Sequence, residues 1–542
     1  MTYTTLAFAA FVIVTAAIYF LFPVKKYQWT VLLAASCFFY LYNSYRYAFF
    51  ILFTTLTIYA AALRIDRIGQ ESKATVKAKK AEWSKEERKA YKAQMESRSK
   101  RILALTLVVN FGILVFLKYY NFLAGGLNTL IAGQAEAASG GLPIFKLFLP
   151  LGISFYTFQS TGYLIDVHRG NVQAERNLGK LALFISFFPQ IIQGPISTFG
   201  QRQEQLTREN KLTWENFKLG SELILWGMFK KLIIADRAVT AINSVTADYT
   251  QYTGTVILFI ALLYALQLYA DFSGGIDISR GVCRILGIDL MQNFRQPYFS
   301  KSINEYWRRW HISLCGWMKN YVFYTLAMSE TFLNASKKMK ASRFGQTPAG
   351  AHISKVLPTS IASFIVFFLV GIWHGANSRY VAFGVWNGGI IMISILLKPL
   401  YDKWISALHI KADSFLWRLF QMLRTFVLVL VGYYFDIAPN CSGAIDMMKR
   451  SLIDHHFWLS YDQVMTLGLA RWDYFILIVT TLILWFISVR LEHTGLETPG
   501  DLLERHSGVL QWIVIFVTIM SIIIFGIYGP GYDPADFVYM QF

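Results

Sequence analysis

Val356-Leu357-Pro358-Thr359-Ser360-Ile361-Ala362-Ser363-Phe364-Ile365-Val366-Phe367-Phe368-Leu369-Val370-Gly371-Ile372-Trp373-His374-Gly375-Ala376-Asn377 lies between Lys355 and Arg379 without one formal charge. A helix needs about 20 apolar residues to cross a hydrocarbon core of ~30 Å, and this run is long enough. The pattern recurs at 6–22, 29–41, 48–63, 102–123, 145–163, 181–197, 217–235, 255–272, 380–399, 416–435, 473–490 and 509–528. Composition agrees: 55% of the 542 residues are hydrophobic, only 15% are charged, and the mean hydropathy is +0.40. Soluble domains carry about 25% charged residues, so an ordinary soluble enzyme, a disordered chain and a disulfide scaffold are excluded. Aromatics at 16% suit a protein that meets two lipid–water interfaces.

Several runs are short or interrupted. Leu149-Pro150-Leu151-Gly152 and Phe188-Pro189-Gln190 break their helices, because proline removes an N–H and clashes with the preceding turn. Broken segments survive at membrane depth only inside protein or beside a water-filled cavity. The expected fold is therefore all-α and polytopic, with about a dozen membrane segments, some re-entrant. It forms one membrane domain over 1–542 with a central cavity, interrupted by a basic insert at 64–101.

The charge has a place. Residues 64–101 hold 13 basic and 6 acidic side chains, so this 38-residue insert supplies +7 of the +18 net charge. Loops rich in Lys and Arg stay cytoplasmic. Lys25 and Lys26 follow the first apolar run instead of preceding it, which argues for a retained helix with an extracytoplasmic N-terminus and against a cleaved signal. Counting crossings from there also puts 64–101 inside. The loop after 123 carries one charge, Glu136, as an exterior loop does. Ser84-Lys85-Glu86-Glu87 reads as a capping box opening a polar helix. The insert is first a solvated helix and second a candidate docking surface. Its aromatics are few (Trp83, Tyr91), so nucleic acid is not expected. Cys37, Cys283, Cys315 and Cys441 are scattered without zinc spacing, and neither a disulfide nor a metal is expected.

Polar groups at membrane depth are costly and point to function. His374 is the one side chain between Lys355 and Arg379 that titrates near neutrality. A lone histidine on an apolar helix is more often structural, but Asn377 one turn on is placed to orient its ring. Gly371 and Gly375 admit a close neighbour. Ser302-Ile303-Asn304-Glu305-Tyr306-Trp307-Arg308-Arg309-Trp310-His311-Ile312-Ser313-Leu314 places apolar residues 303, 307, 310, 314 and 317 on one helical face, as an interfacial helix would. Its arginines grip anionic lipid or the phosphates of an anionic acyl carrier. Arg308, three residues before His311, would help to keep that imidazole neutral. Asp271 and Asp277, followed by Arg280 and Arg284, suggest buried ion pairs. A continuous helix from Lys355 sets His374 ~28 Å from the inner face, with His311 near that face. One candidate base toward each side suggests transfer across the membrane.

With Leu149-Pro150-Leu151-Gly152-Ile153-Ser154-Phe155-Tyr156-Thr157-Phe158-Gln159, Phe188-Pro189-Gln190, Gly194-Pro195-Ile196, Asp271-Phe272-Ser273-Gly274, Asn293-Phe294-Arg295-Gln296-Pro297-Tyr298, the Trp307–Leu314 stretch and Trp373-His374-Gly375-Ala376-Asn377, the sequence resembles the membrane-bound O-acyltransferase (MBOAT) family. Within it, the bacterial branch of alginate O-acetyltransferases and teichoic-acid D-alanyl transferases is nearest, the alginate type above all. The closing Phe537-Val538-Tyr539-Met540-Gln541-Phe542 resembles that branch's aromatic tail. The match covers about 1–63 and 102–542. Gly275 stands where the branch leads one to expect tyrosine, and the insert at 64–101 is longer than in the alginate enzymes.

The resemblance implies a ring of tilted helices around a tunnel that leads to His374. It implies a cytoplasmic thioester donor, acetyl-CoA with no bound cofactor, and an acyl group delivered to an extracytoplasmic hydroxyl. An extracytoplasmic esterase-like acetyltransferase would be the partner, with the exopolysaccharide reached indirectly and membrane lipid around the protein. His374 is the expected general base and His311 a second catalytic residue. Trp373, Asn377, Arg308, Arg309, Trp307 and Ser273 are expected to bind substrate. A rival is D-alanyl transfer from an acyl-carrier protein, for which the basic insert would be the dock. A transporter or channel is the rival of another class. It predicts inverted repeats, and the chain has none.

Overall fold

The computed structural model describes residues 1–132, 141–145, 147, 149–454 and 460–528; Glu136 and the aromatic tail at 537–542 lie outside them. Every regular element among the described residues is helical. Eight helical stretches are long and apolar enough to cross a membrane, and Leu6–Leu21 and Leu178–Ile191 are shorter apolar ones. The multi-pass membrane architecture read from the apolar runs is therefore present.

The chain divides into two compact units, one of 1–221 with 279–291 and one of 222–278 with 292–542. In the first, helices Ala48–Ala78 and Lys85–Ala132 form a long hairpin whose turn carries the basic insert. Its second arm opens as a capping box: the Ser84 N–H donates to Glu87 Oε2 at 2.7 Å and the Glu87 N–H donates to Ser84 Oγ at 3.1 Å. Lower in the hairpin Asn110 Nδ2 donates to Thr57 Oγ1 at 3.2 Å. The two proline breaks sit at helix ends as expected: Ile153–Arg169 begins after Gly152, and Pro189 lies in the first turn of Phe188–Ile191.

The second unit holds the candidate site. Helix Pro348–His374 runs unbroken through Pro358 and ends at His374. Four residues later Ser378–Leu396 begins, capped by Asn377, whose Oδ1 accepts from the Arg379 N–H at 3.1 Å. The two helices pack at glycines. A Cβ on Gly371 would lie 2.8 Å from Gly384 Cα and against the Tyr380 carbonyl, so the neighbour that Gly371 admits is the next helix of its own hairpin.

The polar network expected at Asp271 and Asp277 exists, with different partners. Lys231 bridges Asp271 at 2.5 Å and Asp236 at 2.9 Å, while Lys230 pairs with Asp277 at 2.7 Å and donates to Ser273 Oγ at 2.8 Å. Arg284 instead meets Asp289, and the Arg280 Nε donates to the Leu290 carbonyl at 3.3 Å. Both lysines lie on a π-helical stretch, Phe229–Ala235. Its i→i+5 spacing widens the turn, and such turns cluster at sites where side chains must be re-aimed.

Candidate active site

His374 and His311 come together. The indole of Trp373 packs near both, its ring centroid 5.3 Å from His374 and 6.3 Å from His311. Both imidazoles are buried. The expectation of one histidine near the inner face and one far from it is corrected. The reason is a break in the helix expected over 302–317. Ile303–Arg309 stops, His311 takes φ +46°, and Ile312–Trp317 starts in a new direction. The apolar face is as expected, since Ile303, Trp307, Trp310, Leu314 and Trp317 are all buried.

A left-handed histidine costs free energy and persists only where its surroundings fix it. Asn293 does so from 18 residues away. Its carbonyl accepts from the Ile312 N–H at 3.0 Å, and its Oδ1 accepts from the Ser313 N–H at 2.9 Å. Asn293 Nδ2 lies 3.2 Å from His311 Nδ1 and its Oδ1 3.4 Å, so the shorter contact is the one in which the amide donates to the ring nitrogen. A neutral imidazole that accepts at Nδ1 carries its proton on Nε2. Burial, with the charge of His374 second, pushes the His311 pKa down to about 3. Arg308 is not the cause of its neutrality.

His374 lines a cavity of about 20 Å³ with Tyr306, Trp307, Trp310, Phe383, Asn387, Tyr433 and Asp436 among its walls. That is the room one water-sized group needs. The Trp307 Nε1–H donates to Asn387 Oδ1 at 3.0 Å, and Asn387 Nδ2 donates to the Phe383 carbonyl at 3.0 Å. Tyr433 ties Tyr306 and Tyr298 together through hydroxyl contacts of 2.7 and 3.1 Å. The cavity is thus a rigid aromatic box with a few directed polar groups, the usual make-up of a small-molecule site.

Of the residues singled out in the sequence, His374, His311, Trp373 and Trp307 share this cluster. The others have different positions. Asn377 caps the next helix and does not orient the His374 ring, because Pro348–His374 ends before it. Arg309 is held by Glu492 at 2.7 and 2.9 Å and by Glu305 at 2.8 Å, while Arg308 is exposed. Ser273 belongs to the Lys230 pair. Asn387, Tyr306, Tyr433 and Asp436 were missed. The signal for Asp436 was available, since it is the one acid on Phe415–Ile437. The apolar run had been closed at 435, one residue short of it.

A buried histidine at the wall of a small cavity, inside a polytopic helical protein, is an arrangement that suits a membrane enzyme. The family model for MBOAT, the membrane-bound O-acyltransferase family, matches residues 174–341, which include His311 but not His374. The chain is 32% identical over 342 residues to a probable alginate O-acetylase of Pseudomonas syringae pv. tomato, covering 63% of this chain and 58% of that protein. It is 31% identical over 461 residues to a probable alginate O-acetylase of Pseudomonas putida, covering 82% of this chain and 85% of that one. A teichoic acid D-alanyltransferase of Bacillus subtilis is 26% identical over 300 residues, 54% of this chain and 69% of its own. The chain belongs to the membrane-bound O-acyltransferase family.

Proposed function

We propose that this protein moves an acetyl group from acetyl-CoA, entering from the cytoplasm, to a hydroxyl on the extracytoplasmic side, in the service of exopolysaccharide O-acetylation. The observation that carries the reading is the position of His374. It closes a 27-residue helix and faces a cavity of about 20 Å³, beside a second, neutral histidine. The names of the similar alginate O-acetylases support acetyl as the group and polysaccharide as the destination.

The step balances with these residues alone. The His374 imidazole takes the hydroxyl proton as the oxygen attacks the thioester carbonyl. The C–O bond forms, the C–S bond breaks, and the imidazolium returns the proton to the departing thiolate. His311, neutral with its proton on Nε2, donates to the carbonyl oxygen as negative charge develops there. Trp373 and Trp307 shape the box, and Arg308 meets the donor's phosphates at the mouth. The positive insert at 64–101 faces the cytoplasm and the N-terminus faces outward. The partner is an esterase-like extracytoplasmic acetyltransferase that carries the acetyl group onward.

The test is transfer from labelled acetyl-CoA by the purified protein in liposomes. Turnover in the wild type and its loss in His374→Ala, with unchanged expression and melting, is the expected result. Full activity in His374→Ala overturns the assignment. D-alanyl transfer is the second reading, favoured by the exposed +7 insert and the similarity to a D-alanyltransferase. Turnover with a D-alanyl carrier protein but not with acetyl-CoA would select it.

A further inference from the structure

Asp436 brings a carboxylate to the wall of the His374 cavity. Its Oδ1 is sealed from solvent and makes no hydrogen bond to any described residue. Arg379 acts on it electrostatically but is placed by other bonds. Its Nη1 donates to the Ala438 carbonyl, its Nη2 donates to the Tyr380 hydroxyl at 2.9 Å, and the guanidinium lies 4.7 Å over the Tyr380 ring. The Arg379 Nε makes no hydrogen bond to a described residue either. Tyr380 in turn stacks on His374, ring centroids 6.2 Å apart and 22° between planes. His374 and Asp436 both line the cavity, and Tyr380 and Arg379 pack behind them.

A buried carboxylate oxygen without a donor is costly and is kept where a donor arrives from outside. The reacting hydroxyl has one proton, and His374 takes it. Asp436 must therefore receive a different hydrogen. We propose that Asp436 is an acceptor-recognition residue, its Oδ1 accepting a hydrogen bond from a second hydroxyl next to the one that donates to His374. This rests on the acyl-transfer reading and deepens it. The acceptor is a molecule with two adjacent hydroxyls.

The test uses the full-length protein in liposomes with acetyl-CoA and two probes, a neutral methyl glycoside with a vicinal diol and its monodeoxy analogue. In the wild type the diol should have a KM about 10-fold below that of the deoxy probe, the worth of one hydrogen bond. Asp436→Ala should raise the diol KM to the deoxy value and leave the deoxy KM unchanged. Hydrolysis of acetyl-CoA without acceptor is measured in parallel. Asp436→Asn, which keeps an acceptor oxygen, should fall between. Equal effects on both probes, an unchanged diol KM, or hydrolysis lost together with transfer in both variants overturns the proposal. A wild type that turns over no acetyl-CoA overturns the acyl-transfer reading and this one with it. A wild type that turns over acetyl-CoA but does not distinguish the probes overturns this one alone.

Discussion

Asp271 and Asp436 are both carboxylates on apolar helices of the same unit, yet their surroundings differ. Asp271 is sealed, its side chain 1% exposed, and Lys231 meets it at 2.5 Å while also reaching Asp236. Asp436 lines a cavity with one oxygen that no described donor reaches. Burying a charge costs far more than burying a polar neutral group, and pairing with hydrogen bonds offsets it. The fold makes that compensation at Asp271 and withholds it at the Oδ1 of Asp436. A polar group at membrane depth is therefore not one signal but two, and what separates them is whether the chain supplies the partner. The predictions that follow try to break that division, from the largest expected effect to the smallest.

His374→Ala should lower the acyl-transfer rate by about 10²- to 10⁴-fold, the range for a lost general base, with little change in the melting temperature. Measuring both in the same preparation decides the matter. A large drop in melting would move His374 to the same side of the division as Asp271.

Lys231→Met should do the reverse. It strands Asp271 and Asp236 without their cation and should destabilise the protein by about 3–5 kcal/mol, as breaking a buried ion pair does. Adding Asp271→Leu should recover part of that loss, because it leaves one stranded carboxylate, Asp236, in place of two. Stability is read from thermal unfolding in detergent. No recovery in the double variant would mean that the network does more than neutralise itself.

What could be read from the sequence follows the same division. Membrane helices were legible because each is an apolar run that needs no partner to announce itself. The Ser84–Glu87 box was legible because its two hydrogen bonds span three residues. The partners of Asp271 were assigned to Arg280 and Arg284 because those lie nearby in sequence, whereas Lys231 is 40 residues away. The bend at His311 depends on Asn293, 18 residues off, and an unbroken apolar face gave no hint of it. Asn377 was given the wrong task because the helix was assumed to continue past Gly375. The errors at Asp271 and His311 involve tertiary partners, which periodicity does not encode, and the one at Asn377 a local helix stop inside an unbroken apolar run.

His311 sharpens the comparison through pH. Its folded pKa is lowered to about 3 by burial and then by His374, against an ordinary value of 6.5. Between those values the unfolded chain binds a proton that the folded chain refuses. Stability should therefore rise with pH across that window and be flat in this respect above it. The slope is at most that of one proton, ~1.4 kcal/mol per pH unit. Unfolding midpoints of the wild type and His311→Gln between pH 4 and 7 test it, since the variant should lose that slope. Equal slopes would mean that the ring takes its proton in the folded state too, and so could not serve as the neutral donor proposed for it.

Trp307→Phe tests the boundary between the two kinds of polar group. The indole N–H satisfies Asn387 Oδ1, and both residues line the cavity of His374. Phenylalanine keeps most of the aromatic surface packed on Phe367, whose ring centroid is 5.1 Å away, but leaves the Asn387 oxygen without that donor. The cost should be about 1–3 kcal/mol of stability if the oxygen stays dry. It should be smaller if a water enters beside the cavity and takes the place of the N–H. The two outcomes also differ in activity. A dry box should keep its KM for the acceptor, while a water in the box competes with the hydroxyl that has to sit there and should raise that KM. Stability and KM measured together thus report whether the wall around His374 keeps water out, which a general base acting on one chosen hydroxyl requires.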